Sequence, residues 1–395
     1  MSSSLPPASP WTSRSIGLAL SGGGVRAATF HLGVLARLAE DTLLERVTFI
    51  STVSGGSMAA GLVFALAGHG WPTSATYRDD VLPRAYQLLT GKSLQVSFLG
   101  RWLTRPWLWR GGRAMALASS LRSLWGITMR LSDLPHTPRW VINATLFETG
   151  KNWRFAPRRM GDYRYGYVLN PDFPVAEAIA ASAAVPGLIG PLVLSTARFA
   201  WVRYARGGKE TTPNNPATPR VRLWDGGVYD NLGVEALFKP GRAKRYRDEY
   251  DFLIVSDASA ALGFPPPRYQ YHLRGLRLID TATDQVRSLR ARSLAGHFLQ
   301  VPTSGAYLRM GNSSPTIARQ ARLGQAEATQ LGDGCLADEE VSRAAGHATT
   351  LRQLSDEQFQ CLFRHGWEVA QGTLRAYFPA LTPHRTWSHT AWPPG

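Results

Sequence analysis

The chain has 395 residues, 44% of them hydrophobic, and 44 basic against 28 acidic side chains give a formal net charge of +16. That length holds one large α/β domain or two ordinary ones, and the apolar content excludes wholesale disorder. Two cysteines, Cys335 and Cys361, exclude a disulfide framework and a CxxC metal site.

The first residues, "MSSSLPPASPWTSRS", are rich in Ser and Pro. They lack the apolar stretch of a secretory signal, so residues 1–14 are expected to form a disordered lead. "SIGLAL" (15–20) then reads as a buried strand, "SGGGVR" (21–26) as a glycine loop, and "AATFHLGVLARLAE" as a helix with apolar residues at helical spacing. A second unit repeats the plan: "RVTFISTV" as strand, "SGGS" as turn, "MAAGLVFALAG" (58–68) as helix. Two strand–glycine–helix units in succession predict an α/β fold with a largely parallel sheet. The apolar run 58–68 is too short to span a bilayer. A cytoplasmic or peripheral membrane protein is therefore expected.

Residues 81–132 interrupt the plan. They contain no Asp or Glu and eight basic residues: Arg84, Lys92, Arg101, Arg105, Arg110, Arg113, Arg122 and Arg130. Within them, "FLGRWLTRPWLWRGG" (98–112) interleaves tryptophans with arginines, and Leu117, Leu121, Leu124, Trp125 and Thr128 share a helical face. The block reads as a basic amphipathic cap inserted in the main domain. Its mixture of Trp, Leu and Arg suits a lipid–water interface better than nucleic acid. Arg101, Trp102, Arg105, Trp107, Trp109 and Arg110 are the expected contacts to an anionic membrane, and no specific nucleic acid is expected.

Beyond the cap, "RWVINATLFETGKNWRFAP" (139–157) is β-like, "PVAEAIAASAAVPGLIGPLVL" (174–194) is helical until Pro186, and "PRVRLWDGG" (219–227) is a strand ending in a turn. "YDFLIVSDAS" (250–259) is a further buried strand, and 276–378 is mostly helical. No internal repeat or linker divides the chain, so residues 15–380 are expected to form one domain, with a tail at 381–395.

Three motifs carry chemistry. Gly22, Gly23 and Gly24 after a strand allow backbone N–H groups to converge on an anion, as a phosphate or an oxyanion. They fit neither the dinucleotide nor the P-loop pattern. "FISTVSGGSMAAG" (49–61) offers Ser51, Ser54 and Ser57 as nucleophiles. A nucleophile elbow sits where a strand turns into a helix. Ser51 lies in the strand and Ser57 in the first helical turn, so position selects Ser54. In "LWDGGVYDNLG" (223–233), Asp225 ends a strand and serves as a general base or as an Asx-type turn. Asp230, Asn231 and Asp257 read as turn residues.

"LALSGGGVRAATFHLGVLARL", "ISTVSGGSMAAG", "AASAAVPGLIGP" and "LWDGGVYDNLG" resemble, in order, the four sequence blocks of patatin-like phospholipases. The resemblance covers roughly residues 15–260; "QVRSLRARSL" and "FRHGWEVA" look like bacterial members. It implies a three-layer α/β/α fold with a mostly parallel central sheet, and a Ser–Asp dyad without histidine, here Ser54 and Asp225. It places Gly22, Gly23, Gly24 and Arg26 in the oxyanion hole, and Gly55, Gly56, Gly226 and Gly227 in the turns beside the dyad. The implied substrate is a lipid ester, and the scheme needs no metal or cofactor. Thr52 departs from the pattern, standing where the family's elbow has its first glycine.

Two rivals have sequence support. A Ser–Asp–His triad would use Asp225 with His272, His297 or His365, although these read as surface or capping histidines. A catalytically weak lipid-binding protein of the same fold would account for Thr52.

Overall fold

The structure, a computed structural model, describes residues 14–205, 211–239, 249–259 and 274–387. The expected N-terminal lead, most of the C-terminal tail and His272 lie outside those residues.

Both strand–glycine–helix units form as the sequence predicts. Strand β1 (Ile16–Leu20) leads to helix α1 (Gly24–Glu40), and β2 (Val47–Thr52) leads to α2 (Gly55–Leu66). The cap follows as α3 (Leu82–Gly91), α4 (Leu94–Thr104), a 3-10 turn (Pro106–Gly111) and α5 (Ala114–Trp125). Gly126 takes the left-handed conformation and stops α5, leaving Thr128 beyond the helix and off the face predicted for it.

Next come β3 (Arg139–Leu146), β4 (Lys151–Ala156), β5 (Arg159–Asp162), β6 (Gly166–Leu169) and α6 (Val175–Ser182). Strands β7 (Leu192–Ser195), β8 (Val202–Tyr204), β9 (Thr211–Pro213) and β10 (Arg220–Asp225) precede β11 (Phe252–Asp257). The remainder is α7 (Arg274–Gln300), β12 (Gly305–Arg309), α8 (Ser314–Ala321), α9 (Gln325–Gly332), α10 (Asp338–Gly346) and α11 (Asp356–Tyr377).

One mixed sheet runs β12-β11-β1-β2-β3-β4-β5-β6-β8-β9, with β10 joining β3 to β7. The pairs from β12 to β3 are parallel, and those from β3 outward are antiparallel. Alternation along the parallel strands separates two apolar layers. Ile16, Leu18, Leu20, Phe252 and Ile254 face a core shared with α1, α2, α5, α6 and α11. Ala19, Phe49, Leu253 and Val255 face a smaller core with Leu232, Leu237, Phe238 and Leu294 of α7. The result is a three-layer α/β/α architecture.

The register of β3 sets up everything that follows. On one edge β3 pairs with β4. Along its other edge it pairs first with β2, Thr52 opposite Ile142, and then with β10, Asp225 opposite Ala144. Strands β2 and β10 run toward each other along that edge and end almost head to head.

Candidate active site

Ser54 occupies the sharp turn between β2 and α2, with φ 49° and ψ −115°. A left-handed φ is unusual for any residue with a Cβ and marks local strain. Ser51 is buried in β2, its hydroxyl donating to the Gly233 carbonyl, and Ser57 is buried in the first turn of α2. Of the three serines, only Ser54 occupies the strand-to-helix turn.

Asp225 ends β10, and its carboxylate lies near enough to the Ser54 hydroxyl for that hydroxyl to hold its pKa down. Its Oδ1 accepts the Gly227 N–H at 2.7 Å. Both side chains are buried, with 7% of Ser54 and 6% of Asp225 exposed. Loss of solvation lifts the Asp225 pKa from 3.8 to about 6, against the Gly227 N–H and the Ser54 hydroxyl, which lower it. The group is thus an ionised base at neutral pH with an appreciable proton affinity, which suits proton abstraction from a hydroxyl.

A residue not singled out in the sequence fastens both members. Ser182, at the end of α6, accepts the Ser54 N–H on its hydroxyl at 2.9 Å. Its carbonyl accepts the Gly226 N–H at 3.1 Å, and the neighbouring Ala184 carbonyl accepts the Asp225 N–H at 3.0 Å. Asn143, between the two strand ends, donates to the Ser51 hydroxyl at 2.9 Å and the Thr52 carbonyl at 3.0 Å. Ser182 lies within "AASAAVPG", whose small residues were the only local signal.

The glycine loop lies directly beside the elbow. Gly23 (φ 141°) and Gly24 (φ 62°) take backbone conformations that side chains disfavour. A Cβ on Gly55 would come within 2.3 Å of the Gly24 carbonyl, so the loop and the elbow touch through bare backbone. Among the described residues, the N–H groups of Gly23, Gly24 and Gly55 have no acceptor, whereas the Gly56 N–H is shared by the Ser21 and Val53 carbonyls.

Two expected oxyanion groups have other partners. The Gly22 N–H donates to the Asn231 carbonyl at 3.1 Å. The Arg26 guanidinium donates to the His347 carbonyl at 2.9 Å and the Ala258 carbonyl at 3.1 Å. Both therefore brace the loop. Beneath it, buried His31 bridges the Ser21 carbonyl (2.9 Å) and the Ser256 hydroxyl (2.8 Å), and burial drops its pKa to about 4. Over it, the Thr350 carbonyl accepts the Val25 N–H at 3.0 Å.

Asp230 accepts the Leu232 and Glu235 N–H groups, and Asp257 is paired with Arg287 and Tyr307. The two described histidines of the candidate triad, His297 and His365, are not surface groups. His365 is buried in α11 and accepts the Gly311 N–H at 2.9 Å, and His297 is buried against Phe238.

The cap is less uniformly cationic than its sequence. Arg84, Arg122 and Arg130 pair with Asp80, Glu177 and Asp172, all outside the acid-free block. Arg101 donates to the hydroxyls of Ser97, Ser119 and Ser123, and Trp102 packs half-buried on the core under Arg113. Both side chains are half-buried and have partners within the cap. Trp107 and Trp109 remain 65% and 55% exposed, with Leu103, Val96 and Leu99 also exposed nearby in the chain. Arg110 is exposed and Arg105 half-buried beside them.

Among the described residues, no helix is long and apolar enough to cross a membrane. A family model for patatin-like phospholipase matches residues 18–238. Patatin-like phospholipase domain-containing proteins of Neosartorya fischeri and Aspergillus fumigatus are each 27% identical over 179 residues. Each match covers 44% of this chain and 22% of theirs, so it spans about a fifth of those relatives. Among solved structures, human GIVD cytosolic phospholipase A2 superposes with a TM-score of 0.51 at 16% identity, covering 93% of this chain and 63% of that one. These relatives are fungal and human and lend no support to the bacterial subtype expected from the sequence.

Proposed function

Because this chain belongs to the patatin-like phospholipase family, we propose that it hydrolyses carboxylic esters of phospholipids or lysophospholipids through an acyl-enzyme on Ser54. The observation that carries the reading is that the buried Ser54 and Asp225 sit side by side where two strand ends meet. Asp225 takes the proton as the Ser54 Oγ adds to the ester carbonyl. The N–H groups of Gly23, Gly24 and Gly55 hold the resulting oxyanion. Collapse of the intermediate expels the alcohol, which leaves with the proton held by Asp225. Water then attacks the acyl-enzyme as Asp225 takes its proton; the acyl–Ser54 Oγ bond breaks, the proton returns to Ser54 Oγ and the fatty acid is released.

The exposed Trp107, Trp109 and Leu103, with Arg105 and Arg110, form the face that meets an anionic membrane in this reading. Indole rings and guanidinium groups both sit well at that boundary. The histidine-dependent alternative has weak support, since the described histidines of the candidate triad are buried in hydrogen bonds and apolar contacts away from Asp225. Hydrolysis of a lipid panel by wild type and Ser54→Ala tests the proposal. Release of fatty acid by wild type alone is expected; equal release by both would overturn it.

A further inference from the structure

Thr52 stands where the family's elbow pattern has glycine, yet its backbone is ordinary strand; the left-handed residue is Ser54. No steric demand for glycine exists at position 52. The Thr52 side chain instead does something a glycine cannot. Its Oγ1 accepts the Trp140 indole N–H at 3.0 Å and lies 2.8 Å from the Ser57 hydroxyl. The Ser57 hydroxyl lies 2.9 Å from that of Ser182, which accepts the Ser54 N–H at 2.9 Å. Thr52, Ser57 and Ser182 are fully buried, and Trp140 is 1% exposed. An indole N–H enters the chain at one end and the nucleophile's amide at the other. Both end groups donate inward and two O–H···O links join the three hydroxyls, so the line ties the indole to the Ser54 amide through four consecutive hydrogen bonds.

We propose that Thr52 is a positioning residue for the nucleophile. Its hydroxyl, acting through Ser57 and Ser182, anchors the Ser54 amide and so holds Ser54 in the left-handed turn that presents Oγ to Asp225. A strained φ persists only where surrounding contacts over-determine it, and this chain of hydroxyls is the contact set on the amide side. Ser182 extends the hold to the base, because its carbonyl takes the Gly226 N–H. Thr52 is thereby a substitute brace, replacing the glycine of the family's elbow with a side chain that supports the same turn. The inference rests on Ser54 being the nucleophile.

The test compares wild type, Thr52→Val, Thr52→Ser and Ser57→Ala on a short-chain nitrophenyl ester, with Ser54→Ala alongside. Valine keeps the shape and removes the hydroxyl. Thr52→Val and Ser57→Ala are expected to lose about tenfold or more in kcat with KM within about twofold, and to slow fluorophosphonate labelling of Ser54 in step. Thr52→Ser, which restores the hydroxyl, is expected to recover kcat to within about threefold of wild type. Adding Trp140→Phe to Thr52→Val removes the orphaned indole N–H. It is expected to recover thermal stability without recovering kcat; recovery of both would overturn the proposal and reduce Thr52 to a packing partner. Wild-type kcat in Thr52→Val or Ser57→Ala would overturn it as well. Should Thr52→Val not fold, Ser57→Ala breaks the chain without touching Trp140 and decides the question. Hydrolysis surviving in Ser54→Ala is a separate failure, that of the nucleophile itself.

Discussion

Thr52 and Asp225 face Ile142 and Ala144 on the same edge of one strand, β3, and close on each other from opposite directions. The turn after Thr52 carries Ser54, and the strand running the other way ends on Asp225. Neither residue is delivered by a flexible loop. The candidate dyad is thus set by hydrogen-bond register in the sheet; Ser182 fastens the two ends together, and Asn143 ties down the end of β2.

In the proposed mechanism the pH dependence of activity follows from Asp225. Its pKa of about 6 means that the base is protonated in more acidic solution. The expected kcat/KM profile falls about tenfold per pH unit below that value and is flat above it, up to the next ionisation. Initial rates on a soluble ester between pH 4 and 9 check this. A profile that stays flat down to pH 4.5 would show that the carboxylate is not the base.

The same shift has a cost in stability. The folded state binds the Asp225 proton more tightly than the unfolded chain does, so its contribution is fully present below pH 3.8 and is lost as pH rises through about 6. Asp225→Asn carries no charge and keeps an acceptor for the Gly227 N–H. At pH 8 it is expected to be inactive yet more stable than wild type, by about 2–3 kcal/mol at most, with the gap closing toward pH 4. Thermal unfolding of both proteins across that range is the check, and a pH-independent gap would contradict the assignment.

How much of this was legible in the sequence depends on how local each signal was. The paired strand–glycine–helix units could be read because glycines and helical spacing are short-range features, and Ser54 stood out by its place after "FISTV". The meeting of β2 and β10 could not be read, because each is placed by pairing with β3, far away in the chain, and such pairing leaves no local mark. Ser182 was hidden for the same reason: in a run of small residues its hydroxyl gains meaning only from what lies across the core. Arg26 and Gly22 were assigned to the oxyanion through the company they keep in the sequence, and the backbone partners that occupy them come from distant turns. The cap shows the limit of counting charge, since its acid-free stretch borrows carboxylates from flanking segments.

At the cap, the exposed Trp107 and Trp109 are the residues whose loss should be felt at a membrane. Burying an apolar side chain of that size contributes about 1.5–3 kcal/mol. Trp107→Ala/Trp109→Ala is therefore expected to reduce co-sedimentation with anionic vesicles at least about tenfold. Arg110→Glu is expected to weaken binding to anionic vesicles more than to neutral ones. Equal binding by wild type and all variants would remove the cap from membrane contact.

Burial lowers the pKa of His365 to about 4, which keeps it neutral near neutral pH, where its Nε2 serves as an acceptor for the Gly311 N–H. His365→Gln and His297→Gln are expected to hydrolyse a soluble ester within about threefold of wild type, since neither side chain belongs to the reaction. A folded variant of either that lost about 10³-fold in kcat would instead point to a triad.

The most direct measurement is mass-spectrometric mapping of the chain after reaction with an alkyl fluorophosphonate, which phosphonylates an activated serine. The expected result is a single adduct on Ser54, within the peptide containing "FISTVSGGSMAAG", absent in Ser54→Ala and formed far more slowly in Asp225→Asn. An adduct on another residue, or unchanged labelling in Asp225→Asn, would contradict the Ser54–Asp225 dyad.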